Sequence, residues 1–261
     1  MRALQIAATG MQAQSKRVEV ISNNIANMST TGYNSRRAEF ADLIYQQVSR
    51  AGAVSSATGT ILPAGVQIGL GVRTSAISMD VQQGSLRQTN GDLDIAIEGR
   101  GYLEIELPSG NSGYTRDGSL KRTGDGLIVN SEGFPVVPQI TIPADARQVT
   151  INGSGDVFAF FDNTPQGQLL GRITLASFTN DKGLEAVGSN LFLETEASGP
   201  PQVGDPDSDG RGSIRQGYLE QSSVDAVSEI TELIEAQRGY ELNSKVITAT
   251  DQMLAATAQI R

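Results

Sequence analysis

Alternating acidic residues near the C-terminal end form the clearest candidate cation site in this chain. Residues 205–210 read DPDSDG, which matches the opening of a calcium-binding EF-hand loop. The twelfth position of such a loop should be a bidentate glutamate, but here it is Gln216, and Arg211 and Arg215 lie inside the loop. No helix pattern precedes the segment. We therefore interpret it as a solvated acidic turn and predict no metal site.

The sequence lacks two residue types that are common in catalytic sites. The 261 residues include no histidine and no cysteine, which excludes histidine-based triads, cysteine nucleophiles and Cys/His zinc sites. The sequence also has no glycine-rich phosphate-binding motif and no nucleophile elbow. Two i,i+2 pairs, Glu104 with Glu106 and Asp92 with Asp94, could supply the carboxylates of a glycosidase, but the same spacing is typical of a strand's solvated face. We expect no enzyme and no cofactor.

The overall charge argues against two classes of partner. The chain has 20 basic and 29 acidic residues, a net charge of −9, whereas nucleic-acid-binding proteins normally carry a basic footprint. No apolar run approaches the roughly 18 residues that cross a bilayer. We therefore expect neither nucleic-acid binding nor membrane insertion.

A heptad pattern at the N-terminus predicts the first element. Two lines of residues recur every seven positions and are offset by three: Leu4, Met11, Val18 and Ile25, and Ala7, Gln14, Ile21 and Met28. This is the a/d spacing of a coiled-coil seam with one polar interruption, Gln14. The pattern predicts a helix over residues 3–28, which ends in the polar segment before Gly32.

A second heptad pattern occupies the C-terminal segment, after a loose capping box at Ser222 and Asp225. Its apolar residues are Leu233, Tyr240, Ile247 and Leu254. The polar faces of both segments are rich in asparagine and glutamine, whose amides can satisfy neighbours on several sides in a crowded interface. The two patterns predict a coiled-coil-like pair of long helices, formed within one chain or between molecules. The alternative is that each helix packs only on the central region.

Strand signals dominate between these two ends. All nine prolines lie between Pro63 and Pro206, and residues 117–118 and 125–126 are Asp-Gly pairs typical of hairpin turns. The predicted strands cover residues 93–98, 103–107, 139–142, 148–151, 157–161 and 172–178. The predicted fold class is therefore α+β, with long terminal helices and a central antiparallel all-β region that is sandwich-like or barrel-like.

These patterns divide the chain into five segments. They are an N-terminal helix at 1–30, an extended connector or β region at 31–91, a central β domain at 92–204, a returning β segment at 205–222 and a C-terminal helix at 223–261. Within the connector, residues 46–66 are small and polar and would be interpreted as a flexible loop from composition alone.

Several motifs resemble those of flagellar rod and hook proteins. The most specific is the asparagine-rich stretch ISNNIANMSTTGY at 21–33, which RAEF at 37–40 and DLIYQ at 42–46 follow. Similar motifs lie at 92–99 (DLDIAIEG), 114–118 (YTRDG), 133–136 (GFPV), 216–220 (QGYLE), 237–245 (QRGYELNSK) and 250–254 (TDQML). The resemblance covers nearly the whole chain. One departure is Gly239, where the family usually has alanine, at a helix cost of about 1 kcal/mol.

The resemblance implies a structural polymer. Family members place both terminal helices in an inner tube and the β domain outside it. The length and the segment 46–66 resemble the distal rod members, so the resemblance implies a straight, torque-transmitting rod across the periplasm, exported by the flagellar type III apparatus. The implied partners are copies of the chain itself, proximal rod proteins, the hook protein, and the P-ring and L-ring proteins. The alternatives are a hook or proximal rod protein and, more remotely, a carboxylate-based cell-wall hydrolase.

The two heptad patterns, read with this resemblance, predict the subunit interface. The expected apolar contacts are Leu4, Met11, Val18, Ile21, Ile25, Leu233, Tyr240, Ile247 and Leu254. Asn23, Asn24 and Asn27 are expected to supply polar packing between neighbouring helices, the alternative being a fraying helix end.

Overall fold

The computed structural model describes residues 2–49, 65–162 and 164–259. Within these residues the two long helices are α1 (Arg2–Ala26) and α2 (Ala226–Gln259). Both helices were predicted, because both ends of the chain are free of proline and nearly free of glycine. Neither described helix has a stretch apolar and long enough to cross a bilayer.

The described strands lie between the helices, together with one short 3₁₀ turn at Asp181–Gly183. They are β1 (Arg36–Asp42), β2 (Tyr45–Ser49), β3 (Val66–Gly69), β4 (Val72–Met79), β5 (Leu86–Gln88), β6 (Ile95–Glu98), β7 (Tyr102–Glu106), β8 (Ser112–Thr115), β9 (Lys121–Arg122), β10 (Ile128–Val129), β11 (Val136–Val137), β12 (Gln148–Ile151), β13 (Asp156–Phe161), β14 (Thr164–Arg172), β15 (Leu175–Ser177), β16 (Glu185–Gly188), β17 (Leu191–Leu193), β18 (Gln202–Gly204), β19 (Ser213–Gln216) and β20 (Tyr218–Glu220). The fold class is α+β, as predicted.

The chain forms two compact units. The terminal unit comprises residues 1–25, 36–78 and 226–261, and the central unit comprises residues 26–35 and 79–225. In the terminal unit, β1 pairs with β4, and β2 pairs antiparallel with β3.

The segment 46–66 begins and ends in regular structure. Residues 46–49 belong to β2 and Val66 begins β3, where Tyr45 pairs with Gly69 and Gln47 with Gln67. The prediction of a loop is therefore wrong for these flanks, because cross-strand hydrogen bonds override local composition. Residues 50–64 lie outside the described part of the chain.

The central unit is built on a seven-stranded sheet in the order β16-β17-β8-β7-β15-β18, with β11 also paired to β7. Successive residues of β7 face opposite sides of this sheet. Leu103 joins a large aliphatic cluster that includes Val149 and Val157 of the three-stranded sheet β12-β13-β14. Tyr102 joins a second, aromatic cluster on the other side with Phe178. The sheet thus carries a core on both faces.

Several strand and turn predictions are confirmed and others are wrong. Strands at 148–151 and 157–161 are present, and the Asp-Gly pair at 125–126 turns β9 into β10. The pair at 117–118 is not a hairpin: β8 pairs with β7 and β17, and Gly118 instead accepts a backbone hydrogen bond from Ile95 at 3.0 Å.

Two predicted strands are incomplete. Residues 139–142 form only a single bridge between Thr141 and Leu127, because Pro138 and Pro143 on either side cannot donate to a ladder. The strand predicted at 172–178 is interrupted at residues 173–174, where β14 ends before β15 begins. The two halves pair with different sheets.

Candidate assembly site

The two helices of the terminal unit lie side by side and run in opposite directions. The contacting pairs, in order along α1, are Gly10 with Asn243, Gln14 with Gly239, Arg17 with Glu232 and Asn24 with Glu229. The position on α2 falls as the position on α1 rises, which defines the antiparallel arrangement. The Arg17 guanidinium reaches Glu232 at 3.1 Å in a partly exposed ion pair.

Small residues allow this close approach. The alanines buried in the two helices are Ala7, Ala13 and Ala236. A methyl group added at Gly239 would lie 3.1 Å from the Gln14 side chain, a tight contact. The glycine in the middle of α2 therefore faces α1, and its lower helix propensity is offset by room for Gln14.

Asn24 ties three segments of the terminal unit together. Its side-chain amide donates to the Arg36 carbonyl oxygen at 2.8 Å and to the Glu229 carboxylate at 2.9 Å, and its Oδ1 accepts from the Arg36 backbone N–H at 2.9 Å. Asn24 is 1% exposed. One buried asparagine thus connects α1, the start of β1 and α2.

The structure distributes the predicted interface residues over several environments. Ile21 and Asn24 are buried; Leu4, Met11, Val18, Ile25, Asn27, Leu233 and Ile247 are half-buried; Asn23, Tyr240 and Leu254 are exposed. Most of the two apolar lines therefore flank the contact between α1 and α2. Their role between subunits stays a prediction.

Helix α2 exposes large apolar side chains. We define the α2 apolar surface as Ile230, Ile234, Leu242 and Val246, which are 50%, 45%, 63% and 47% exposed in the single chain. They form two pairs at i,i+4 spacing, so each pair shares one helix face. Large apolar side chains exposed in pairs are typical of an interaction site.

The strands of the terminal unit and the short connections between them expose further apolar residues. They are Phe40, Ile44, Tyr45, Val48, Val66, Ile68, Leu70 and Ile77. A two-stranded ribbon such as β2–β3 is marginally stable by itself in water. The exposed apolar residues of this ribbon extend the candidate assembly site beyond α2.

Thr9 attaches the connection between β3 and β4 to α1. Its hydroxyl donates to the Ile6 carbonyl oxygen at 2.7 Å and accepts from the Val72 N–H at 3.3 Å. Gly71, between the two strands, has φ +115°, and a Cβ there would overlap the Thr9 hydroxyl. Only glycine suits this position.

We expect Gly71→Ala to lower the free energy of unfolding of the terminal unit by about 1–3 kcal/mol, through backbone strain and displacement of Thr9. Thermal unfolding followed by the helical circular dichroism signal measures this. Gly69→Ala is the matched control, because its Cβ would lie 3.4 Å from the Tyr45 ring, close to an ordinary contact. Equal losses in both variants would contradict the assigned role of Gly71.

Arginine side chains form ion pairs with acidic residues of the turn at 205–210. Arg172 pairs with Asp205 at 2.8 Å and with Asp156 at 2.6 Å, and it holds the pKa of Asp156 below its usual value by donating a hydrogen bond to that carboxylate. Arg211 pairs with Asp209 at 2.8 Å. In the described part of the chain no group of three or more acidic residues is arranged to hold a metal ion.

The carboxylate pairs are bound to neighbouring polar side chains. Glu104 accepts a hydrogen bond from Ser112 at 2.6 Å, Glu106 accepts one from Gln139 at 2.8 Å, and Asp94 accepts one from Thr89 at 2.6 Å. Each of these three carboxylates therefore accepts a hydrogen bond from a neighbouring side chain.

The sequence did not predict a buried ion pair in the central unit. Arg116 and Glu220 are 5% and 2% exposed and meet at 2.8 Å. The Arg116 guanidinium also donates to the carbonyl oxygens of Gly101 and Gly99, and Glu220 accepts from the Gly84 N–H at 3.0 Å. The YTRDG motif at 114–118 indicates an arginine close to the end of a strand, but it does not identify the residue that pairs with this arginine.

Comparison with known proteins finds family models that match the beginning, the middle and the end of the chain. A family model described as "Flagella basal body rod protein" matches residues 4–34. The model "Flagellar hook protein FlgE/F/G D1 domain" matches residues 96–159, and "Flagellar basal body rod FlgEFG protein C-terminal" matches residues 215–260.

Similar proteins align over their full length. The chain is 53% identical to the flagellar basal-body rod protein FlgG of Caulobacter vibrioides over 261 residues, which is 100% of both chains. It is 49% identical to FlgG of Agrobacterium fabrum, with 99% of each chain covered, and 35% identical to FlgG of Bacillus subtilis, with 100% of this chain and 99% of the other covered.

Proposed function

Because this chain belongs to the flagellar basal-body rod protein family and is a structural subunit of the distal rod, we propose that the exposed apolar surface of its terminal unit is the contact by which copies polymerise. The family is structural and not enzymatic, so the glycosidase and cell-wall hydrolase alternatives fall away. The rod component spans the periplasm and polymerises within the axial structure of the basal body.

The α2 apolar surface is the observation that carries the proposal. Full burial of one large aliphatic side chain contributes about 1.5–3 kcal/mol, so covering four half-exposed ones supplies several kcal/mol per contact. A neighbouring copy is the natural cover in a polymer. The resulting contact joins different surfaces of two copies and does not close, which produces a filament and not a ring.

The heptad lines support a finer proposal, namely that helices from neighbouring copies pack as a coiled coil. The predicted residues that flank the contact between α1 and α2, such as Leu233 and Tyr240, then contact the next subunit, and Asn23 and Asn27 supply polar packing.

In the central unit, the three-stranded sheet packs its apolar side chains into the same cluster as the seven-stranded sheet, which favours a sandwich-like arrangement.

Particular partners follow from the place of a distal rod subunit. We infer contacts with proximal rod proteins at one end, with the hook protein at the other and with P-ring and L-ring proteins around the rod. Delivery through the flagellar type III export apparatus belongs to the same proposal. A hook or proximal rod role is the alternative, which the curvature of the polymer distinguishes.

Charge introduced on α2 should prevent polymerisation. For the double variant Ile230→Glu with Ile234→Glu we expect at least a tenfold rise in critical concentration, since about 1.4 kcal/mol lost per contact corresponds to a factor of ten. Sedimentation and negative-stain microscopy over a concentration series measure this effect. The control Gln237→Glu adds one charge at an exposed polar position of the same helix.

The same images test the alternative role. Straight rods from the wild-type chain support the distal rod assignment of the polymer contacts, whereas curved tubes favour the hook. Unchanged assembly of the double variant would show that the α2 apolar surface lies outside the subunit contact.

A further inference from the structure

The chain contains two asparagine–glycine pairs, Asn90-Gly91 and Asn152-Gly153, and each lies in a connection between strands of the central unit. Asparagine is among the thermolabile residues of proteins, because the nitrogen of the next peptide group can attack its side-chain carbonyl carbon. Glycine in the next position leaves that nitrogen unshielded, since it has no Cβ. In a folded chain the reaction depends on how firmly the side chain and the peptide group are held. The structure holds the two pairs differently.

Hydrogen bonds restrain both reacting groups of Asn152-Gly153. The Asn152 Oδ1 atom accepts from the Asp156 N–H at 2.7 Å, and its Nδ2 atom donates to the Asp156 carboxylate at 3.0 Å. The Asn152 carbonyl oxygen, which belongs to the peptide group that would attack, accepts from the Gly155 N–H at 3.1 Å. The half-buried side chain and the peptide group must therefore break these contacts before the Gly153 nitrogen can reach the side-chain carbonyl carbon.

Asn90-Gly91 lacks these restraints. The Asn90 side chain is exposed, and within the described residues it makes one hydrogen bond, in which its Oδ1 atom accepts from the exposed Gln88 amide at 2.8 Å. The peptide group that joins residues 90 and 91 makes no hydrogen bond to any described residue. The Asn90 side chain can therefore turn towards the Gly91 nitrogen at the loss of one exposed hydrogen bond.

We propose that Asn90 is a site of spontaneous deamidation in the folded protein. The Gly91 nitrogen bonds to the Asn90 side-chain carbonyl carbon and loses its proton, and the side-chain nitrogen leaves as ammonia, which closes a cyclic imide. Water then adds to one of the two imide carbonyls and opens the ring. The products are aspartate, which keeps the original main chain, and isoaspartate, whose main chain passes through the former side chain and gains one carbon.

Gly217 holds both ends of the turn that follows β5. Its carbonyl oxygen accepts from the Asn90 N–H at 3.2 Å, and its own N–H donates to the Asp94 carbonyl oxygen at 2.7 Å. Isoaspartate places an additional main-chain carbon between these two contacts, so the lengthened segment no longer fits the same ends. The neighbouring pairing of β5 with β20 contains the buried Glu220. We therefore expect the melting temperature of the central unit to fall as isoaspartate accumulates.

Peptide mass spectrometry of the full chain, incubated folded at mildly alkaline pH, measures the reaction at both pairs. Trypsin releases residues 88–100 and 148–172 as separate peptides, and fragment ions locate the exchange of an amino group for a hydroxyl within each. We expect the Asn90 amide to be lost at least about tenfold faster than the Asn152 amide, because the Asn152 side chain must first break two hydrogen bonds. Chromatography of the peptide 88–100 should resolve an isoaspartate product.

Two controls separate structure from sequence. In guanidinium chloride the two pairs lose their different surroundings, so the unfolded chain should deamidate at similar rates at both. Asp156→Ala removes the carboxylate that accepts from the Asn152 Nδ2 atom, and it should speed the loss of the Asn152 amide about threefold while leaving the rate at Asn90 unchanged.

Equal rates at the two pairs in the folded chain would overturn the inference. So would an Asn90 amide that persists in the folded chain under conditions in which the unfolded chain reacts. Rapid loss of the Asn90 amide with an unchanged melting temperature would overturn the assigned effect on the turn. None of these results depends on polymerisation, so the proposed function is tested separately.

Discussion

Replacement of Glu220 by glutamine is expected to lower the free energy of unfolding of the central unit by about 3–5 kcal/mol. Glutamine keeps the shape of the side chain and can still accept from the Gly84 N–H, so the change isolates the charge. It leaves the Arg116 guanidinium buried without its counter-charge, and breaking a buried pair on one side costs this much. Urea unfolding followed by tyrosine fluorescence reports the loss.

An exposed pair in the same unit supplies the control. Glu98 and Arg215 meet at 3.6 Å with about half of each side chain exposed. Exposed ion pairs contribute about 0–1 kcal/mol, so Glu98→Gln should change stability little. If the two variants lost similar amounts of unfolding free energy, burial would not make the pair of Arg116 and Glu220 stronger than an exposed ion pair.

Asn24→Ala is expected to lower the free energy of unfolding of the terminal unit by about 2–4 kcal/mol. The variant removes three hydrogen bonds and leaves the backbone N–H and carbonyl of Arg36 without the asparagine side chain. Because α1 and α2 both belong to this unit apart from one residue, the helical circular dichroism signal follows its unfolding directly.

An exposed amide on the same helix makes the comparison. Gln12→Ala removes an amide side chain at an exposed position of α1. We expect it to cost less than about 0.5 kcal/mol, as surface substitutions usually do. If both variants lost the same stability, the buried network would not explain the effect, because alanine has the higher helix propensity and does not lower stability by that route.

The helices and several strands could be predicted because their signals are local. Residues 148–151 and 157–161 form strands that a register of four residue pairs holds together, from Gln148 with Phe160 to Ile151 with Val157. The prediction of a strand at 139–142 was wrong for a reason that is also local. The prolines beside it remove ladder donors, so hydrophobic alternation by itself does not produce a strand there.

The candidate site was harder to predict because its contacts are long-range. The heptad lines located the helices, but the contact between α1 and α2 follows small residues such as Gly10 and Ala236, whose role depends on what lies opposite. The partners Arg116 and Glu220 are 104 positions apart. No spacing rule connects such residues, and only the folded chain brings them together.

The antiparallel contact between α1 and α2 has a practical consequence for labelling. It places the first turn of α1 beside the C-terminal part of α2, so labels attached at the first turns of the two helices lie at opposite ends of the pair. The turn between β7 and β8 offers a separate position, because its residues 108–111 are exposed. A short tag inserted there leaves the sequence of both helices unchanged, so that the growth of single rods can be followed by light microscopy.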